Sequence, residues 1–233
     1  MKACDGRKTY GLQAGDYCIA RKNHLLRYTK SRKEGEFLKI VVVLDTDFLK
    51  RFHEKHPVQI TNPVTDEAIM IVQENKLLRN FIQSLEPYYS STDELDPTFA
   101  DVKREELLLI LLKSYPGLSG VFFNFGVPEK IDLESFMLHN FRFNVSLERF
   151  AYLTGRSLSS FKREFQKLFN EQPGQWLTRK RLEDAYFRIR NEHTPPGEVY
   201  LETGFENFSH FSYAFKKRFG LTPSQAATAA ADH

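Results

Sequence analysis

After Gly155 the chain carries phenylalanine at 161, 165 and 169 and then Pro173; after Gly204 it carries phenylalanine at 211, 215 and 219 and then Pro223. Rings at i, i+4 and i+8 share one side of a helix, so the residues of the opposite phase follow at about 100° per position. In the first series that face presents Ser159, Ser160, Arg163, Gln166 and Lys167, with Lys162 beside them. In the second it presents Ser209, His210, Tyr213, Lys216 and Lys217, with Phe208 and Ser212 beside them. Neither face has a carboxylate near its centre, although a helix that is merely solvated gains from opposite charges three and four apart. Ser, Gln, His, Lys and Arg are the groups that donate to phosphate oxygens and base edges. The competing reading of the serines is helix capping. The phenylalanine period itself speaks for burial, since a stacking platform for bases needs exposed rings.

The punctuation around the two series repeats as well, with a shift of about 50 residues. Ser157 and Asn207 stand four before the first ring as N-cap residues, and Asn170 and Gly220 follow the third as helix-ending residues. A short amphipathic helix precedes each glycine, at 147–153 and at 198–202. Helix, glycine and second helix make a helix-turn-helix, whose second helix enters a major groove. Between the two copies, residues 174–192 form a continuous helical pattern with Trp176, Leu177, Leu182, Ala185, Tyr186 and Ile189 as its apolar positions. Such a helix spans roughly 28 Å, close to the ~34 Å turn of B-form DNA, and would set two reading helices in successive grooves. Its far side is expected to carry Arg179, Lys180, Arg181, Arg188 and Arg190, contacting phosphates or pairing with Glu183 and Asp184.

These residues resemble the C-terminal DNA-binding domain of AraC/XylS-type transcription regulators, over about residues 132–225. The matching text is Ser146-Leu147 to Ala151, Gly155, Ser157, Phe161-Lys162-Arg163 with Phe165, Pro173, Arg181-Leu182 with Ala185, Gly204-Phe205, Ser209, Phe211 with Phe215-Lys216, and Phe219-Gly220-Leu221-Thr222-Pro223-Ser224. The resemblance implies two helix-turn-helix motifs joined by a long helix, asymmetric binding to promoter DNA and contact with RNA polymerase. Tyr200 departs from the family pattern where a small residue packs between helices. So do Pro195-Pro196, in place of a capping residue and Ile, and Phe208, in place of a polar residue. These departures bear on the packing and sequence preference of the second motif.

Residues 1–120 read as a separate domain. Brief apolar runs at 17–20 and 25–28, a buried-strand pattern at 37–44 and a further run at 68–72 predict strands. Asp45 caps a helix through about residue 54 with Phe48, Leu49 and Phe52 on one face. Two amphipathic helices, 75–89 and 97–115, are joined by the polar stretch 90–96, which suggests an antiparallel pair; Phe81, Leu85, Leu108 and Leu112 fit an internal core or a dimer seam equally well. Pro116-Gly117 stops the second helix, and 128–132 marks the boundary. The segment is similar to the later part of the β-rich, cupin-like sensing and dimerisation domain of regulators of the type III secretion activator kind. Fewer than 75 residues precede the first long helix, which implies a partial barrel whose open edges a dimer would cover.

The expected fold class is therefore α+β: a small β-rich, cupin-like amino-terminal domain with a helical pair (1–120), an all-α domain of two helix-turn-helix motifs on a linker helix (132–225), and a tail (226–233). Charge divides along the same line. Residues 130–225 hold 15 Lys and Arg against 11 Asp and Glu, while the remainder holds 18 against 19, so the positive excess lies with the reading helices.

Chemistry of other kinds lacks its starting groups. Cys4 and Cys18 form neither a disulfide framework nor a CxxC pair. His24 is the only histidine of the strand region, and His53 with His56, at i and i+3, lack an evident third ligand, so they read as solvent-facing histidines. There is no GxGxxG, GxxxxGK[ST] or GxSxG. No catalytic residue, metal or cofactor is expected. No run reaches the roughly 18 apolar residues of a membrane span and no signal peptide opens the chain, which leaves the cytoplasm as the expected compartment.

The leading expectation is a sequence-specific DNA-binding transcription regulator, an activator, that homodimerises through residues 1–120. The alternatives are an interaction switch whose amino-terminal domain binds a regulatory protein, tested by recovery of a partner on that fragment, and a small-molecule sensor, tested by a ligand-dependent melting shift. Arg163 and His210 are the base-reading candidates, and Lys167, Lys216 and Lys217 the phosphate contacts.

Overall fold

The computed structural model describes residues 1–29, 39–61, 67–88 and 97–231. Helices dominate. Among the described residues five strands of three or four residues, β1 (Lys2–Cys4), β2 (Thr9–Gly11), β3 (Tyr17–Ala20), β4 (Arg27–Thr29) and β5 (Ile69–Val72), form one three-stranded sheet in the order β2-β1-β4 and one antiparallel pair in which Tyr17 faces Val72. The chain divides into two compact units. The first comprises Met1–Ala3, Tyr10–His24 and Tyr28–Gly126; the second comprises Cys4–Thr9, Leu25–Arg27 and the chain from Val127 onward.

In the first unit α1 (Thr46–Lys55) starts where the Asp45 side chain accepts the Phe48 backbone N–H, and α2 (Lys76–Leu85) starts where Asn75 accepts that of Leu78. These caps satisfy amide groups that a helix start otherwise leaves open. A long helix, α3 (Pro97–Ser114), ends before Pro116, because the residue ahead of a proline is forced out of helical geometry. Phe48, Leu49, Phe52, Leu78, Leu108, Leu111 and Leu112 from the three helices close one core with Val72 of β5, Leu118, and Phe122 and Phe123 of the short α4 (Ser119–Phe122) and its end.

Three expectations change here. Residues 39–44 are not a strand: burial alternates along them, with Val41 and Val43 about two-thirds exposed and Leu44 against the core, but the Val43 carbonyl accepts from Arg104 rather than from a ladder partner. The apolar run 25–28 yields a strand only from Arg27 onward. His53 and His56 are half-buried and partnered rather than simply solvent-facing. His56 Nε2 lies 2.7 Å from Glu105 Oε1 with its ring against Phe52, and His53 Nε2 lies 3.3 Å from the Val58 carbonyl with its ring against Phe123. Residues 30–38 of the strand expectation and the polar stretch 90–96 lie outside the described residues.

The second unit is helical apart from its short amino-terminal segments: α5 (Leu133–Asn140), α6 (Leu147–Leu153), α7 (Leu158–Phe169), α8 (Pro173–Asn191), α9 (Pro196–Glu202), α10 (Phe208–Phe219) and α11 (Pro223–Ala231). It holds two cores. Phe150, Leu153, Phe161, Phe165, Trp176 and Leu177 belong to one, with Leu25, Leu133 and Met137; Leu182, Ala185, Ile189, Val199, Phe205, Phe211 and Phe215 belong to the other. The 19 residues of α8 thus supply the floor of both, its first half to one core and its second half to the other. Ala226 of α11 is fully buried in the second core, so that core extends into the residues read from the sequence as a tail.

Candidate nucleic-acid interface

The two short-helix, turn, long-helix units are built from the same parts. Ser157 accepts the Ser160 N–H at the start of α7, and Asn207 accepts those of Ser209 and His210 at the start of α10. Asn170 (φ 52°) and Gly220 (φ 78°) end these helices in the left-handed region. At the turns, Gly155 (φ 67°) and Gly204 (φ 93°) press against passing backbone: a Cβ would sit 2.5 Å from the Glu129 carbonyl oxygen at the first and 2.5 Å from that of Arg142 at the second. The residue before each glycine, Thr154 or Thr203, is fully buried and donates its hydroxyl back to the helix carbonyl four before it, Phe150 or Val199. Sequence reasoning passed over this threonine pair, although the repeated Thr-Gly was visible.

Arg181, expected on the far side of α8 to contact phosphates or to pair with Glu183 and Asp184, is instead directed inward. Its guanidinium donates to the carbonyls of Phe141 (2.7 Å), Phe143 (2.8 Å) and Gly204 (3.1 Å), tying the second turn to the segment ahead of α6. Burial, with Arg27 close by, lowers its pKa to about 10, so it keeps its charge at neutral pH. Arg27 binds the same two segments, donating to the carbonyls of Glu202 and Arg142 with its guanidinium over the Phe143 ring. An arginine fork suits this task because it satisfies several carbonyls in fixed directions. Helical phase alone could not distinguish Arg181 from its neighbours, because the carbonyls it serves are 23 to 40 residues away.

Burial on one side leaves the opposite side of α7 and α10 open. Phe161, Phe165, Phe211 and Phe215 are fully buried, while Ser159, Lys162, Arg163 and Lys167 of α7 and Phe208, Ser209, His210, Tyr213, Lys216 and Lys217 of α10 are exposed. Tyr213 is 70% exposed, which is unusual for an aromatic ring without a ligand to cover it. Three expected residues are more committed. Ser160 donates its hydroxyl to Glu164 at 3.0 Å, Gln166 is half-buried with its Oε1 lacking a partner, and Ser212 is half-buried. Lys130 and Arg156, with Ser160, hold the Glu164 carboxyl well below the usual range, at about 2. Phe208 packs edge-on against Tyr200, centroids 5.5 Å apart, so the two departures from the resemblance pattern fit one another.

His210, Tyr213 and Lys217 also line an open groove of about 580 Å³ between α10 and the first half of α8, together with Gln175, Thr178 and Arg179. Two carboxylates border the same cations: Glu171 accepts from Arg179, and Glu183 from Arg179 and Arg218. The pairing of Arg179 with Glu183 lies within the reading by helix phase; Glu171 and the link from Glu183 to Arg218 of α10 lie outside it.

A short helix, a glycine-dependent turn and a cation-bearing helix, repeated on one rod, define a helix-turn-helix DNA-binding protein of the transcription-regulator class. Residues 150–229 match the family described as "Helix-turn-helix domain", and residues 1–118 match that described as "ExsA N-terminal regulatory domain". The second match spans half of the chain, and the chain belongs to the AraC-type transcription regulators that carry this amino-terminal domain. It is 28% identical over 225 residues to the virulence regulon transcriptional activator VirF of Yersinia enterocolitica, covering 94% of this chain and 82% of VirF. It is 25% identical over 226 residues to the HTH-type transcriptional regulator ExsA of Pseudomonas aeruginosa, covering 94% and 79%. Among solved structures it is similar to a probable AraC family transcriptional regulator from Rhodopseudomonas palustris, at 27% identity and a TM-score of 0.37, covering 42% of this chain and 93% of that one. No described helix is long and apolar enough to cross a membrane.

Proposed function

We propose that this regulator binds promoter DNA by placing α7 and α10 in successive major grooves, with α8 as the rigid spacer that sets their separation, and that it activates transcription. The observation that carries the reading is the pair of exposed donor-rich faces opposite the fully buried Phe161 and Phe165 of one helix and Phe211 and Phe215 of the other. Arg163 and His210 are the base readers; Lys162, Lys167, Lys216 and Lys217 hold phosphates, with Ser159, Ser209 and Tyr213 beside them. That VirF of Yersinia enterocolitica is named a transcriptional activator supports activation, for which RNA polymerase would be the protein partner. Selection of bound sequences from a random double-stranded pool tests the geometry: two boxes about one helical turn apart are expected, and a single box would remove α10 from the reading.

The same assignment separates two kinds of variant. Arg163→Ala is expected to relax selectivity at one or two base pairs and to weaken promoter binding by roughly 1–3 kcal/mol, because a bidentate base contact is lost. Lys217→Ala is expected to weaken binding equally on all sequences and to flatten the salt dependence by about one logarithmic unit, because one phosphate contact is lost. Titrations of both variants at several salt concentrations measure the difference. If neither changed promoter binding, the assigned faces would be wrong.

The amino-terminal unit is the site of self-association in this reading, and a cupin-like character would place a sensing function for a small molecule or a protein there. Phe99, Val102 and Leu109 of α3 are 45%, 63% and 44% exposed. With Glu106 and Lys113 they fall within roughly 80° of one another around the helix, opposite the buried Leu108, Leu111 and Leu112. Such a stripe on an otherwise packed helix suits a second copy of the chain. Val102→Glu is expected to convert a dimer to monomers in sedimentation without unfolding the unit, since the side chain leaves no cavity. An unchanged mass would move the interface elsewhere.

A further inference from the structure

Building on the DNA-binding reading, we propose that Glu183 is a specificity-determining residue that withholds cations of the α8–α10 groove from phosphate, so that binding depends on base contacts rather than on charge. Glu183 is the shared partner of three cations. Arg179 Nη1 lies 3.2 Å from its Oε1, Lys180 Nζ 3.8 Å from its Oε2 and Arg218 Nη2 3.3 Å from its Oε1. Arg179 is held from the other side as well, donating through Nε and Nη2 to Glu171 Oε2 at 3.0 and 2.8 Å. Glu171, Arg179 and Arg218 line the groove together with His210, Tyr213 and Lys217. Glu171 therefore stands on the surface that the base-reading and phosphate-holding candidates of α10 share, and Glu183 pairs with two arginines of that surface, Arg179 and Arg218.

A single exposed ion pair is worth too little to restrain an arginine, but a carboxylate shared among three cations from two elements forms a network, and networks hold better. Two carboxylates against three cations leave the cluster only one charge positive. A phosphate oxygen approaching Arg218 or Lys180 also meets the negative charge of Glu183 at close range. The general attraction of the duplex for the protein, which carries no sequence information, is reduced at this point. Gln175, which also lines the groove, remains as a neutral donor.

The test compares Glu183→Gln with Glu192→Gln. Both variants gain one unit of charge, but Glu192 caps the other end of α8, nine residues on and thus on the opposite side of the helix, where it pairs with Arg188. Binding of the full chain to its selected promoter sequence and to a scrambled duplex is measured across a salt series. Glu183→Gln is expected to tighten scrambled-duplex binding severalfold, to steepen its salt dependence by about one to two logarithmic units as Arg218 and Lys180 are released to phosphate, and to lower the ratio of specific to non-specific affinity accordingly. Glu192→Gln is expected to do none of this.

Equal salt slopes for the two variants would overturn the proposal. Arg218→Gln gives an independent check: it should leave the slope of the unaltered protein unchanged and cancel about one unit of the increase in the Glu183→Gln background. A loss of one unit from Arg218→Gln alone would show that this arginine already meets phosphate, and would also overturn the proposal. Should the unaltered protein select no sequence at all, the DNA-binding reading would fail first and this inference with it.

Discussion

Phe165→Ala is expected to destabilise the second unit by about 4 kcal/mol, enough to leave the first helix-turn-helix largely unfolded at physiological temperature. The ring is fully buried and touches three others, with centroids 5.6 Å from Phe161, 4.4 Å from Phe169 and 5.4 Å from Trp176, the last edge-on. Truncation removes the transfer free energy of the ring, those aromatic contacts and the surrounding packing, and leaves a cavity that helices anchored at both ends cannot close. Denaturant unfolding should show a lower midpoint with an unchanged slope. Phe165→Leu, which refills most of the volume, should recover more than half of the loss. A cost below about 1.5 kcal/mol for the alanine variant would mean that the phenylalanine stripe is not the anchor of this helix, and the face opposite it would lose its basis.

Gly204→Ala is expected to cost about 3 kcal/mol and to abolish ordered binding by the second motif. The backbone at φ 93° is one that L side chains rarely adopt, and the added methyl would meet the Arg142 carbonyl at 2.5 Å. That carbonyl cannot simply retreat, because Arg27 donates to it and Arg181 holds the residues on either side of Arg142. Gly155→Ala should behave similarly against the Glu129 backbone. The informative contrast is Gly197→Ala in α9, where a Cβ would have open space: it should be neutral or stabilising by about 0.5–1 kcal/mol, through helix propensity and a restricted unfolded chain. Thermal unfolding of the three variants measures this directly. Equal effects at 197 and 204 would contradict the turn geometry.

Much of this protein was legible because its second unit is periodic. Phe161 and Phe165, like Phe211 and Phe215, state their own burial through their spacing, and the faces opposite follow by rotation. The caps Asp45, Ser157 and Asn207 were legible for a related reason: their side chains bond amides two or three residues away, within the reach of a local reading. The amino-terminal unit was less legible. Strands of three or four residues carry little pattern, and the apolar run within 37–44 predicted a buried strand, whereas at Val43 an arginine of another element takes the carbonyl. His53 and His56 were misplaced because Phe123 and Glu105, which they meet, belong to other parts of the chain.

The sequence by itself determined the repeated unit, the two glycine turns and the cation-rich faces of α7 and α10, since each depends on interactions within one or two helical turns. Only the tertiary structure decided which cations are available. Arg181 serves backbone carbonyls from residue 141 to residue 204, Glu171 engages Arg179, and Glu183 engages Arg218 of α10 beside the second face. Charge acts through space over distances comparable with the separation of packed helices. A rotation computed along one helix therefore finds the residues that face outward, while the field they present is set by neighbours that only folding brings to them.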